Sequence, residues 1–404
     1  MTLIACKTTQ LKEASEPIDL DARSQQIAHK YIITDGHVDL PYRLKIKNFR
    51  LEREFLGIPI ETDEGDFDYV RAKEGGLDAP FMSIYLPSAK QLEAGASKAL
   101  ADTLIDMVKG IAEAHPDKFI VAHTPKDCQE AFAKGKIALP MGMENGSGIE
   151  DNLSNVQYFR DRGISYITLT HAKDNLICDS SYDTLNTWGG LSPFGEEVIV
   201  EMNKAGIMVD ISHVSDDAFY QAIELSAVPV IASHSSSRKF TPGFQRNMND
   251  EMIELLGKKG GVIAINFGST FLDGEIRKKN EMQRAELVKM LDEAGAVYGT
   301  PAADTIIQEF QKDHPSLFAD VELVADHIDH VVALAGVDHV GFGSDYDGVG
   351  DSLPTGLKDV SQYPNLIKEL LSRGYSEDDI AKICSKNVFR VWQQTVDYAD
   401  SQMN

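Results

Sequence analysis

Cysteine is nearly absent: Cys6, Cys128, Cys178 and Cys384 are the only four in a chain of 404 residues. None stands in a CxxC pair, which excludes a zinc knuckle and a thioredoxin-like redox motif, and their spacing demands no disulfide. Also missing is any apolar run approaching the roughly 18–20 residues that a membrane-crossing helix needs, so no transmembrane segment is predicted. Positive charge is in deficit: 39 Lys and Arg stand against 63 Asp and Glu, a formal net charge of −24. Such a field repels a phosphate backbone and argues against nucleic-acid binding; spread along the chain, it serves solubility. The rest is ordinary globular usage, 43% hydrophobic and 25% charged, enough to bury a sizeable core.

Residues 1–24 are polar and without periodicity, and read as an N-terminal tail ahead of a single domain over 25–404. Within the tail, Leu3-Ile4-Ala5-Cys6 is similar to the end of a lipoprotein signal, without the basic start and long apolar stretch that precede one. If it is a leader remnant, Cys6 is a lipidation site and the chain belongs to the cell envelope; if the match is chance, the cytoplasm is the expected address. The C-terminal stretch 396–404 lacks the hydrophobic tail of a lipid-anchor signal.

Short apolar runs rich in Val and Ile lie near 31–35, 80–86, 137–143, 164–170, 206–212, 229–233, 260–266 and 338–344, with amphipathic patterns between them. In 324–335, for example, Val324, Ile328, Val331, Val332 and Ala335 recur at helical spacing. Apolar strands alternating with helices predict a parallel sheet covered on both faces, and about eight such units predict a closed (β/α)8 barrel of the TIM type. Regions 42–78 and 268–322 exceed a minimal barrel. The second reads as added helices over the barrel mouth or as an oligomer surface, such as that of a homodimer.

Metal-capable side chains fall where these runs end. Asp35-Gly36-His37-Val38-Asp39 follows the first run, and in extended chain His37 and Asp39 point to the same side. Glu144 follows the third run, His213 the fifth and His234 the sixth. In a barrel those ends converge on the C-terminal face, where active sites sit. Three His, one Asp and one Glu are too many for one catalytic zinc, which takes about three protein ligands plus water. Two ions are therefore expected, with Glu144 lending one oxygen to each, His37 and Asp39 on the first and His213 and His234 on the second. Mixed imidazole and carboxylate donors suit zinc, with manganese or cobalt as substitutes. A water shared by two such ions becomes a nucleophile at neutral pH, with no Ser or Cys required.

The pieces Asp35-Gly36-His37-Val38-Asp39-Leu40-Pro41, Met143-Glu144-Asn145-Gly146, Thr168-Leu169-Thr170-His171, Met208-Val209-Asp210-Ile211-Ser212-His213-Val214-Ser215, Ala232-Ser233-His234-Ser235-Ser236, Arg246-Asn247 and Gly343-Ser344-Asp345-Tyr346-Asp347-Gly348 occur in order over roughly 30–390. Together they resemble the membrane (renal) dipeptidase family of zinc metallopeptidases. The resemblance implies a barrel of the metal-dependent hydrolase kind that hydrolyses dipeptides, L-Xaa-D-Xaa as well as L,L being open. It implies that His171 hydrogen-bonds the scissile carbonyl oxygen and that Arg246 forks onto the free carboxylate of the dipeptide. It further implies that Asp345, rather than Asp347, manages protons and holds the substrate amine. Asp210 is expected to support a ligand, and the stretch 172–188 is expected to be variable loop.

Two rival readings remain. One is a barrel amidohydrolase acting on a cyclic amide, lactone or phosphoester; many of those bridge their metals with a modified Lys on the fourth strand, and 165–170 has no Lys. The other is a non-catalytic zinc scaffold, which gives no reason to keep the ligands, His171 and Arg246 together. His327 and His330 imitate a metal motif but are expected on a helix that reaches the last strand from its far end, away from the site. His29, His115, His123, His314 and His339 have no comparable placement.

Overall fold

The computed structural model describes residues 19–46, 60–297 and 300–402, so Cys6 and the lipidation motif lie outside the described residues. Ten strands occur in chain order: β1 Ile33–Val38, β2 Leu77–Tyr85, β3 Phe119–Val121, β4 Ile137–Leu139, β5 Met141–Glu144, β6 Ile164–Thr168, β7 Met208–Asp210, β8 Ile231–Ser235, β9 Val262–Ile265 and β10 Val340–Phe342. Eight of them form one parallel sheet in the order β1-β2-β5-β6-β7-β8-β9-β10, wrapped by helices. The sheet curls until its ends meet. Asp39 N–H donates to the Tyr346 carbonyl at 2.8 Å, and Asp345 N–H donates to the His37 carbonyl at 3.1 Å. This is the (β/α)8 barrel, and the seam that closes it is built from site residues and their neighbours.

The barrel strands have no wet face. Every residue of β1, β5, β6, β8 and β9 is buried, as befits parallel strands covered by helices outside and packed side chains within. Helices end and strands begin at left-handed glycines: Gly163 (φ 105°) turns the chain into β6 and Gly206 (φ 75°) towards β7. Among the described residues, no helix is long and apolar enough to cross a membrane.

Three details differ from the sequence expectation. The run 137–143 is two strands, because Pro140 has no N–H to continue a ladder. β4 leaves the barrel to pair with β3, which was too short to recognise, while the Pro140 carbonyl still accepts from Met82 N–H at 2.8 Å. A helix spans Leu20–Lys30, overlapping the expected tail, and Asp19 Oδ1 accepts from the N–H groups of Asp21 and Ala22. β1 runs on through His37, and β8 contains His234, so both ligand candidates sit on rigid strand rather than on loop.

One glycine decides the interior. A Cβ at Gly142 would lie 1.9 Å from Cζ of Tyr166, so the absence of a side chain on β5 lets the Tyr166 ring cross the barrel. The hydroxyl at its end reaches β1.

Candidate metal centre

His37 is fully buried, and its Nδ1 lies 2.9 Å from the Tyr166 hydroxyl. That hydroxyl donates its own proton to the Gly36 carbonyl, also at 2.9 Å. With its one proton committed, Tyr166 can only accept from His37; Nδ1 therefore carries the hydrogen and Nε2 keeps its lone pair. Nε2 has no hydrogen-bond partner and faces Asp39 Oδ2 at 3.5 Å and Glu144 Oε2 at 3.4 Å.

His234 is held by the same logic. Its Nδ1 is 2.8 Å from Ser233 Oγ, and Ser233 Oγ donates to Asp210 Oδ2 at 2.6 Å. Ser233 must accept from His234 Nδ1–H, which leaves the Nε2 lone pair 3.3 Å from Glu144 Oε1 and 2.8 Å from His213 Nε2. Asp210 thus supports His234 through Ser233, and not its sequence neighbour His213.

Glu144, at the end of β5, is the hub. Oε2 faces His37, while Oε1 faces His213 Nε2 at 3.0 Å, His234 and, at 3.7 Å, His171 Nε2. Burial works against ionising its carboxyl, but the imidazoles of His37, His171, His213 and His234 around it outweigh burial and hold it well below the usual carboxylate range. His213 and Asp345 each sit three residues past a strand end in left-handed backbone, φ 69° and 64°. That costs a non-glycine residue about 1–3 kcal/mol and concentrates strain at the site.

All five predicted ligands meet here, and so do two other predicted site residues. Among the described residues, three sets have donor atoms within 4.8 Å of one another: His37–Glu144–His234, Glu144–His171–His213 and His37–Asp39–Asp345. Asp345 therefore stands beside His37 and Asp39, with Oδ2 accepting from Asn266 Nδ2 at 2.8 Å. Burial lifts its carboxyl to about 7; His37 opposes the shift, and Asp39 and Glu144 add to it. Asp347 is committed elsewhere: Oδ1 accepts from Arg43 Nη1 at 3.0 Å and from Asp66 N–H at 2.7 Å, clamping a loop. His171 lies edge-on to Tyr85, ring centres 4.8 Å apart, and burial lowers its pKa. Arg246 is buried behind His234, its Nη1 donating to Ser235 Oγ and its Nη2 to the His234 carbonyl, both at 2.7 Å. Burial lowers the pKa values of His213 and His234, and the charge of Arg246 adds to the shift of each, behind His37 in the case of His234.

A cleft of about 790 Å³ opens onto Asp39, Glu144, His171, His213 and Asp345. Buried donor atoms without hydrogen-bond partners, His37 Nε2 and Asp39 Oδ1 among them, together with the fixed tautomers of His37 and His234, fit divalent cations of the nitrogen- and oxygen-loving kind. Tyr166 and Asn266, which position these groups, gave no signal in the sequence, and Ser233 stood only inside the motif around His234. His327 is excluded for a different reason than expected. Ser237 N–H donates to its Nδ1 at 3.0 Å and its Nε2–H donates to the Leu272 carbonyl at 3.0 Å, so both nitrogens are spent.

Replacing Tyr166 with Phe keeps the ring and removes the acceptor that fixes His37. Metal affinity is expected to fall about 10–100-fold, read by chelator competition; unchanged affinity would show that the tautomer is set elsewhere.

A parallel barrel with imidazole and carboxylate donors gathered at the carboxyl ends of its strands defines a metal-dependent hydrolase. The chain belongs to the membrane dipeptidase family, peptidase family M19, whose model matches residues 21–404. It is 32% identical over 375 residues to dipeptidase tcpJ of Claviceps purpurea, covering 91% of this chain and 78% of that protein. It is 31% identical over 380 residues to an uncharacterized dipeptidase of Schizosaccharomyces pombe, covering 91% and 82%. Among solved structures, the probable dipeptidase PvdM of Pseudomonas aeruginosa superposes with TM-score 0.78 at 24% identity, covering 94% of this chain and 99% of that one. A metallo peptidase of Rhodobacter sphaeroides, liganded with a phosphinate mimic of L-Ala-D-Ala, gives 0.74 at 24%, covering 90% and 99%. The protein is a dipeptidase of a metallopeptidase family.

Proposed function

We propose that the protein is a binuclear zinc dipeptidase that hydrolyses the amide bond of dipeptides, L-Xaa-D-Xaa as well as L,L. The observation that carries this is the placement of Glu144, with one carboxylate oxygen turned to His37 and the other to His213 and His234. His37 and Asp39 would hold one ion, His213 and His234 the other, and Glu144 both. When bound, the pair supplies Lewis acidity that brings the pKa of a water from 15.7 towards ~7.

The remaining work falls to side chains. His171, on the cleft wall beside Glu144, donates to the scissile carbonyl oxygen as negative charge develops there. Asp345, beside His37 and Asp39 on the cleft wall, would hold the substrate amine and carry the proton given up by the attacking water to the leaving nitrogen. Arg246 takes the terminal carboxylate on the N–H groups that Ser235 and His234 leave free, which restricts substrates to two residues. The Rhodobacter sphaeroides relative's ligand, a mimic of a dipeptide with a D-residue at its C-terminal end, supports including L,D substrates.

Elemental analysis and a panel of L,L- and L,D-dipeptides test the reading. Two zinc ions per chain and turnover of both stereochemical classes are expected. Full activity with one ion, or turnover of lactones or phosphoesters in place of dipeptides, would overturn it.

A further inference from the structure

The cleft does not end at the metal centre. Its outer rim, Tyr182, Thr270, Phe271, Arg284 and Ser352, is also the inner rim of a second cavity of about 690 Å³, walled in part by the added helices Gly274–Glu293 and Pro301–Asp313. An aromatic row links the two. Phe271 packs on Phe244 with ring centres 5.7 Å apart, and Tyr182 lies 6.1 Å from Phe244. A guanidinium stands at each end of this row: Arg246 lies 5.5 Å over Phe271 on the metal side, and Arg277 lies 4.3 Å over Phe244 on the outer side. Arg284, seven residues on from Arg277 and so on the same face of their helix, borders both cavities. Among the described residues, no hydrogen bond or ion pair engages Arg284, in a chain whose net charge is −24. The acids nearby are peripheral: Glu281 pairs with Arg277 at 3.0 Å from a side chain that is 60% exposed, and Asp351 is exposed on the rim.

We propose that the outer cavity is a subsite for the side chain of the dipeptide's C-terminal residue, selective for an acidic one, with Arg284 and Arg277 receiving its carboxylate. The inference rests on the dipeptidase reading and on Arg246 as the holder of the terminal carboxylate. With that group on Arg246, the side chain of the same residue departs at the Phe271 end of the row. Its methylenes lie along Phe271 and Phe244, and a carboxylate at its tip meets two planar guanidiniums suited to forked hydrogen bonds. A neutral amide of equal size forms weaker bonds there, and an ammonium meets like charge.

The test measures kcat/KM of the metal-loaded full chain on L-Ala-L-Glu, L-Ala-L-Gln and L-Ala-L-Lys. Glu and Gln are isosteric, so their ratio isolates charge. About a tenfold preference for Glu is expected, shrinking as ionic strength rises because the cavity is open to solvent. In the double variant Arg277→Gln, Arg284→Gln the ratio should fall to about one. Calorimetric affinities for phosphinate analogues ending in Glu or Gln should show the same discrimination without turnover. A wild-type ratio of about one, or a preference that survives in the double variant, overturns the subsite while leaving the dipeptidase reading intact. Failure of all three substrates and of their L-Ala-D-Xaa counterparts overturns the dipeptidase reading and takes the subsite with it.

Discussion

Glu144→Gln is expected to lower kcat/KM by about 10³-fold or more and to bring zinc below two ions per chain. The substitution keeps shape and burial, so packing at the end of β5 is retained. What changes is charge and proton inventory. Glu144 is the one carboxylate whose two oxygens face different halves of the donor set. A neutral amide cannot balance two divalent ions, and its NH₂ presents hydrogens to imidazole nitrogens that should offer lone pairs. The wild-type protein should gain thermal stability on adding zinc, because a ligand that binds only the folded state stabilises it by RT ln(1 + [L]/Kd). The variant should lose most of that gain while unfolding at a similar temperature without metal. Full occupancy with normal turnover would exclude the bridge.

Much of this centre was legible in the order of residues, for a physical reason. A barrel delivers every strand end to one face, so donors scattered from His37 to Asp345 need only follow apolar runs to be recognised as neighbours. The groups that aim those donors were not legible. Tyr166 is 129 residues from His37, and nothing local to either marks the hydrogen bond between them, which depends on Gly142 leaving room for a ring to cross the barrel. Asp210 is three residues from His213 yet acts on His234, because its oxygens reach across to Ser233 on the adjacent strand β8. Proline chemistry misled the strand boundaries for the opposite reason: 137–143 is uniformly apolar, and Pro140, a purely local feature, divides it. His327 shows the limit of pattern matching, since its exclusion rests on two hydrogen bonds to backbone groups of the segments that follow β8 and β9.

The second large effect is expected at Arg246. Its two Nη atoms each give one hydrogen to the protein, to Ser235 Oγ and the His234 carbonyl, which locks the guanidinium plane and leaves one hydrogen on each Nη uncommitted. Loss of a charge-assisted forked pair should cost about 10²–10³-fold in kcat/KM, chiefly through KM. Arg246→Ala also strips two buried acceptors of their donor, at about 1–3 kcal/mol each, and could disturb His234 directly. The substrate separates the two effects. A dipeptide whose C-terminus is amidated has no carboxylate to clamp, so wild-type enzyme should discriminate strongly against it. If Arg246 is the clamp, that discrimination collapses in Arg246→Ala and in Arg246→Lys, whose ammonium lacks the planar fork. If instead both variants lose activity on the dipeptide and its amide in equal proportion, Arg246 is a prop for His234, and the limit to two residues must come from the shape of the cleft.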